Sequence, residues 1–179
     1  MTAQTFRRAE LVLRLVLAAG IVWALSVLAC PAHAAADDLD AGTLRRLDES
    51  RAEVEAGADL AGMHAVRFAA LLAVETGMRP MDGWYEDVIG VGQVSWRDWA
   101  PLLRGEGWRG DDVRYDPYWG ALAAGRVLGQ LRIWYPGKSD ALLVCLYACG
   151  PRAEKFKRSC TYSWLVRQAE QGLERRRNG

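Results

Sequence analysis

Apolar residues recur every three to four positions through most of the chain, and sustained alternation of apolar with polar residues is nearly absent. The first spacing is that of a helix with a buried face, whereas half-buried strands would show the second. From Asp37 to Arg79 the pattern predicts two helices. Leu44 and Leu47 set a short stripe, and Met63, Val66, Leu71, Leu72 and Val74 set a longer one. The segment Ala56-Gly57-Ala58-Asp59 is expected to separate them, with Asp59 as N-cap of the second helix. That second helix is apolar on nearly all sides, as a central buried helix would be, and should end near Gly77, with Pro80 beyond.

A polar loop, Met81 to Asp87, precedes the short run Val88-Ile89-Gly90-Val91-Gly92-Gln93-Val94. Ser95 to Leu103 reads as a short helix capped by Ser95, with Trp96, Trp99 and Leu103 on one face. Gly105, Gly107 and Gly110 mark a loop running to Asp116-Pro117. A helix is predicted from about Pro117 to Tyr135, a turn at Pro136 to Asp140, and an apolar helix from Ala141 to Cys149 stopped by Gly150-Pro151. A last amphipathic helix, from about Tyr162 to Arg176, ends in a basic tail. The expected class is all-α, with at most a very short hairpin around 88–94.

The N-terminus has a different character. Arg7, Arg8 and Arg14 precede an apolar run from Leu15 to Ala29, followed by Pro31-Ala32-His33-Ala34-Ala35. A charged start, an apolar stretch of about fifteen residues and an Ala-x-Ala site form the layout of a secretory signal. The run is shorter than the roughly 20 residues a spanning helix needs. Cleavage after Ala34 and release into the periplasm is the expectation; a lipid on Cys30 and an uncleaved anchor are the competing readings. Bulky Leu28 disfavours the lipid, and Ala9-Glu10-Leu11 does not support a twin-arginine route.

Removal of residues 1–34 takes away three Arg and one Glu, leaving twenty basic and twenty-one acidic side chains. That balance gives no electrostatic case for nucleic acid. At 179 residues, half of them apolar, the chain can bury one sizeable core. A monomer is the default.

Four features occur in a set order: a Glu ending a buried apolar helix, Gly-x-Gly-Gln fifteen residues on, an Asp-Pro opening a helix, and Tyr-x-x-Gly closing another. In this order the sequence resembles the SLT-type lytic transglycosylase domain, a lysozyme-like fold. The family's catalytic Glu falls on Glu75 in Val74-Glu75-Thr76, and its Gly-Leu-Met-Gln on Gly90-Val91-Gly92-Gln93. Its Asp-Pro falls on Asp116-Pro117 and its Tyr-Asn-Ala-Gly on Tyr147-Ala148-Cys149-Gly150. Thr76 stands for Ser, Gly92 for Met and Ala148 for Asn, and Gly120 occupies the place of an Asn that often follows the Asp-Pro. The likeness spans roughly residues 60–150. It implies an organisation of signal peptide 1–34, N-terminal helical segment 35–59 and lysozyme-like domain 60–179.

What the resemblance implies is cleavage of the β-1,4 bond between MurNAc and GlcNAc in peptidoglycan glycan strands, without water, leaving a 1,6-anhydroMurNAc end. Glu75 would act first as acid and then as base. The residues suit that chemistry, because a glycosidic oxygen leaves only when a carboxylic acid still protonated near neutral pH stands beside it. Apolar neighbours such as Leu71, Leu72, Ala73 and Val74 keep an acid protonated by penalising its charged form. Tyr147 is expected to aim its hydroxyl at Glu75 or at the reacting sugar. Gln93 carries both donor and acceptor for an N-acetyl or hydroxyl group, and Thr76 and Val91 lie within the same motifs. Gly90 and Gly92 would let the backbone approach the sugar.

Trp84 and Tyr85, between the acid and the Gln, are candidate walls of the groove, whereas Trp96 and Trp99, three apart on a helix, are expected in the core. Glu49-Ser50 lacks a Gly-x-Gly-Gln at the right distance and reads as an ordinary helix surface. Neither His33 nor His64 has ligand-spaced neighbours, and no metal or cofactor is implied. With Cys30 removed, Cys145, Cys149 and Cys160 remain, so one bridge and one further thiol are expected. Cys149, at a helix end one loop away from Cys160, is the predicted partner, and Cys145 is expected to pack as a small hydrophobe. Three other functions compete. A hydrolase like goose-type lysozyme would need a second carboxylate from Glu86, Asp87 or Asp116, although Asp116 reads more simply as a helix N-cap. A non-catalytic glycan-binding domain is the second, and an accessory of a secretion, conjugation or pilus machine in the cell envelope is the third.

Overall fold

The computed structural model describes residues 39–81, 83, 87–150 and 160–178. The predicted export signal, with Cys30 and His33, lies outside these residues, as do Trp84, Tyr85 and Glu86. Asp40 opens the first helix, α1 (Ala41–Glu49), by accepting from the Thr43 amide at 2.9 Å. Such a cap satisfies one of the four amides that a helix start leaves without partners. The chain turns at Ser50 into α2 (Arg51–Ala61), which ends at Gly62 in the left-handed region, with the Met63 amide bonded back to the Ala58 carbonyl. After a bend of 108° follows α3 (Ala65–Thr76), ended in turn by left-handed Gly77.

The predicted break at 56–59 is therefore absent. Gly57 and Asp59 lie inside α2, which runs across the expected boundary at residue 59, and Leu47, Val54 and Ala58 share one hydrophobic core with Leu71 and Leu72. The reason is a helix crossing. A Cβ on Gly57 would come within 2.5 Å of the Phe68 ring, and one on Gly125 would lie 2.1 Å from the Gly57 carbonyl oxygen. Gly57 is thus where a neighbouring helix comes closest, a role that sequence reading confuses with a helix stop.

The remainder follows the predicted pattern with one addition. Strands β1 (Val88–Ile89) and β2 (Val94–Ser95) pair antiparallel, Val88 opposite Ser95 and Ile89 opposite Val94. Then come α4 (Trp96–Gly105) and a short helix, α5 (Gly110–Tyr115), within the stretch expected to be a loop. Asp111 and Asp112 in its first turn favour a helix start, and Val113 is fully buried. Helix α6 (Pro117–Trp134) has Asp116 as N-cap, its carboxylate accepting from the Tyr118 amide at 2.9 Å. Ser139 caps α7 (Asp140–Cys149), and α8 (Thr161–Asn178) closes the described fold. The described residues thus form eight helices and one two-stranded hairpin, a mainly α architecture. No single helix among them is long and apolar enough to cross a membrane.

Helices α2 and α6 share the most extensive packing, and α3 lies against α8. A charge network ties α3, α6, α7 and α8 together. Arg67 of α3 bonds Asp140 of α7 at 2.9 Å and Glu170 of α8 at 3.0 Å, while Arg132 of α6 bonds Asp140 at 2.7 Å. Trp96 and Trp99 both pack partly buried on the core, and the Trp99 ring stacks on exposed Trp134 at 5.4 Å.

Because the α2–α6 crossing has no room for a methyl group, Gly125→Ala should lower stability to urea by about 1–3 kcal/mol, the range of core overpacking. Gly105→Ala, with nothing within 4 Å of the added carbon, should stay within about 0.5 kcal/mol of the parent chain.

Candidate active site

Glu75 is the penultimate residue of α3, where the buried helix reaches the surface. The four residues before it begin with fully buried Leu71 and Leu72, so the helix delivers its carboxyl from the core side. Its neighbours fix this end in place. The Thr76 hydroxyl donates to the Val91 carbonyl at 2.9 Å, and Arg46 of α1 donates to the Gly77 carbonyl at 2.7 Å. Gly77 has φ of 60°, and a Cβ there would meet the Thr43 hydroxyl at 2.6 Å, so α1 docks directly on the helix end.

Facing Glu75 is the turn between the strands, Gly90 to Gln93. Gly90 has φ of 74°, and an added Cβ would sit 2.2 Å from the Val113 carbonyl oxygen. Gly92 would bring a Cβ to 2.6 Å from that of Ala124 on α6. The two glycines thus let the turn approach α5 and α6, a different reason from the expected approach of a sugar. Gln93 is in the left-handed region, at φ of 51°, and its side-chain amide donates to the Gly90 carbonyl at 3.0 Å and to the Met81 carbonyl at 3.1 Å. Its donors are engaged in shaping the turn and fastening it to the chain that leaves α3. Val91 is fully buried against Gly120.

Two tyrosines complete the surroundings. The Tyr147 hydroxyl donates to the Gly92 carbonyl rather than to Glu75. It nevertheless lies near the acid, since burial first and then the negative charge of Glu75 push the phenol well above its usual pKa. The hydroxyl bonded to Glu75 is that of Tyr162, which donates to Oε1. Burial raises the Glu75 carboxyl from its ordinary 4.5 to about 7, and the Tyr162 bond opposes that rise without cancelling it.

Tyr162 was not among the predicted site residues. It carries no motif, and only the packing of α8 on α3 brings it to an acid far earlier in the chain. One signal in the sequence could have found it: it stands two residues after Cys160, as Tyr147 stands two after Cys145. The bridge itself corrects the expected pairing. Cys160 bonds Cys145, with Cα atoms 5.9 Å apart, and exposed Cys149 takes no part in this bond. Loop length favoured Cys149, but a disulfide depends on the separation and direction of the Cβ atoms. Cys145 is buried within α7, beside the start of α8, whereas Cys149, one turn further on at the helix end, is exposed.

Thr76, Gly90, Val91, Gly92, Gln93 and Tyr147 are thus assembled around the end of α3 that carries Glu75. Trp84 and Tyr85 lie outside the described residues. Of the other acids considered, Asp116 is the N-cap of α6, and Asp87 contacts Arg97 at 3.3 Å and Ser95 at 3.4 Å. Among the described residues no cluster of His, Cys, Asp or Glu could hold a metal ion. Comparison of the chain with family models, curated proteins and solved structures finds no match in any of the three.

The raised pKa links Glu75 to stability. A group whose folded pKa exceeds its unfolded value contributes fully below the unfolded value, near 4.5, and loses that contribution as pH rises through about 7. Glu75→Gln should therefore match the parent chain at pH 4 and exceed it at pH 8 in urea denaturation. The expected gain is about 1–3 kcal/mol, since one pKa unit is worth about 1.4 kcal/mol and the residue keeps some contact with solvent.

Proposed function

We propose that the chain is an SLT-type, lysozyme-like lytic transglycosylase that cleaves peptidoglycan glycan strands in the periplasm, with Glu75 as its acid and then its base. The observation that carries this reading is a carboxyl, raised to about 7 by burial, set beside a glycine-bearing turn and two tyrosine hydroxyls. Such a carboxyl is substantially protonated at neutral pH and still able to give up its proton.

The chemistry follows from that position. With Oε1 accepting from Tyr162, Oε2 is the oxygen left to carry the proton. That proton passes to the glycosidic oxygen as its bond to the anomeric carbon breaks, and positive charge develops on the sugar ring. The carboxylate then takes the proton from the 6-hydroxyl of the same MurNAc, whose oxygen attacks the anomeric carbon. The products are a 1,6-anhydro ring and a free 4-hydroxyl on the leaving GlcNAc, and Glu75 is protonated again with no water consumed.

A one-carboxylate mechanism is favoured over hydrolysis by what the other acids do. Inverting and retaining hydrolases pair two carboxyl groups across the scissile bond at about 5–9.5 Å. Of the described candidates, Asp116 is bound to the start of α6 and Asp87 to Arg97 and Ser95, so both are engaged in structural contacts, and Glu86 lies outside the described residues. The alterations at Gly92 and Gly120 also have a structural reason. Both sites lie under close contact with neighbouring backbone or side chains, which larger residues would displace.

Digestion of purified peptidoglycan by residues 35–179, with products resolved by mass, tests the reading. Anhydro-muropeptides are expected, and Glu75→Gln should lower their rate of formation on the order of 10³-fold. Above pH 7 the rate should fall roughly tenfold per pH unit as the acid ionises. Reducing-end products would overturn the transglycosylase reading in favour of a hydrolase, and a folded chain yielding no products would overturn the enzymatic one.

A further inference from the structure

The disulfide joins the two segments that carry the tyrosines of the site. Cys145 is fully buried in α7, two residues before Tyr147, and Cys160 precedes Tyr162 by two at the start of α8. The first turn of α8 is built on Cys160. Its carbonyl accepts from the Ser163 hydroxyl at 2.9 Å and from the Trp164 amide at 3.3 Å, and its own amide approaches the Cys145 sulfur at 3.0 Å. Around Tyr162, Thr161 and Trp164 are exposed, and the buried contacts of α8 with the core are made by Ser163, Val166, Ala169 and Glu170. The placement of the tyrosine therefore depends on where that first turn is anchored.

We propose that Cys145 and Cys160 are positioning residues for the site: their disulfide holds the first turn of α8 so that the Tyr162 hydroxyl meets Glu75, and the hydrogen bond is lost when the bridge is opened. A cross-link can also stabilise a fold merely by constraining the unfolded chain. That role would leave the contact between Tyr162 and Glu75 unchanged in the folded molecule. The positioning role makes the two inseparable, so the setting of the acid becomes conditional on oxidation. As an account of catalytic control this rests on the reading of Glu75 as the acid; as an account of geometry it does not.

The groups around Glu75 make the contact measurable. Tyr147 faces it from α7 and Tyr162 from α8. The charged side chains that α1, α7 and α8 bring to α3 are engaged elsewhere, Arg46 on the Gly77 carbonyl and Asp140 and Glu170 on Arg67. Among the described residues, burial and the Tyr162 hydroxyl govern the acidity of Glu75, with no charged group of α1, α2 or α6 contributing.

The test is a thermodynamic cycle that needs no substrate. The Glu75 carboxyl is titrated by carbon NMR in the parent chain and in Tyr162→Phe, each with the bridge intact and after reduction by dithiothreitol. The reductant supplies two electrons and two protons, converting the S–S bond into two thiols while itself closing to a cyclic disulfide. All samples carry Cys149→Ser, so that this cysteine cannot replace Cys145 in the bridge. With the bridge intact, Tyr162→Phe should raise the Glu75 midpoint by about 0.5–1 pH unit, because a donor to the carboxylate is lost. After reduction the same substitution should move it by less than a quarter of that. Equal shifts in both states would overturn the proposal and reduce the bridge to a stabilising cross-link. No shift in either state would overturn it too, by removing the hydrogen bond on which it stands. Unfolding of the reduced chain would overturn it as well, since the bridge would then secure the whole fold rather than the first turn of α8. Failure to cleave glycan leaves every one of these readings intact, so the two proposals fail separately.

Discussion

A carboxyl group taken from water into apolar surroundings resists ionising, and much of this molecule is arranged around one such group at the end of α3. The helix that carries Glu75 is buried through its middle, with Phe68, Ala70, Leu71 and Leu72 wholly enclosed. The desolvation that shifts the acid is therefore a consequence of core packing. What surrounds the carboxyl offers its charge little compensation: one hydroxyl donates to it directly, and the next donates to a backbone carbonyl close by. A single donor moderates the penalty without abolishing it, and the group remains poised near neutrality.

Helix α6 is the ruler against which this arrangement is set. Its first half presents Gly120, Ala121, Ala124 and Gly125, all buried. Gly125 admits the backbone of α2 at Gly57, while Gly120 and Ala124 receive the turn at Val91 and Gly92. The same run of small residues thus holds the core crossing and the turn opposite Glu75 at fixed distances. Thr76 and Gln93 then fasten that turn to α3 and to the chain leaving it. Replacing any of these small residues would disturb both the fold and the setting of the acid, because interiors packed to crystal density have no slack to absorb a methyl group.

Much of this was legible in the residues. Helical periodicity located α4, α6, α7 and α8 and the end of α3 to within a few positions, since each buries a continuous apolar stripe and most end on a capping residue or a glycine. Ordered motifs brought Glu75, the 90–93 turn and Tyr147 to attention, and the structure assembles them at one place. What was not legible depended on contacts distant in the chain. Gly57 looks like a helix breaker until α6 is seen lying on it. Short α5 was hidden between glycines, with too few residues for a period to show. Cys145 looked like a packing residue because its partner's direction is a three-dimensional fact, and Tyr162 had no pattern of its own until α8 was laid along α3. The side-chain amide of Gln93 also ties the Gly90 carbonyl to that of Met81, a role that a list of donors and acceptors cannot foresee.

The most direct test of the account is the midpoint of Glu75 itself, read from its side-chain carboxyl by carbon NMR as pH is raised in the oxidised parent chain. A midpoint near 7 is the predicted result, placing a protonated acid at neutral pH where the mechanism needs it. A midpoint near 4.5 would mean a solvated carboxylate at an ordinary helix end, and would contradict the central claim.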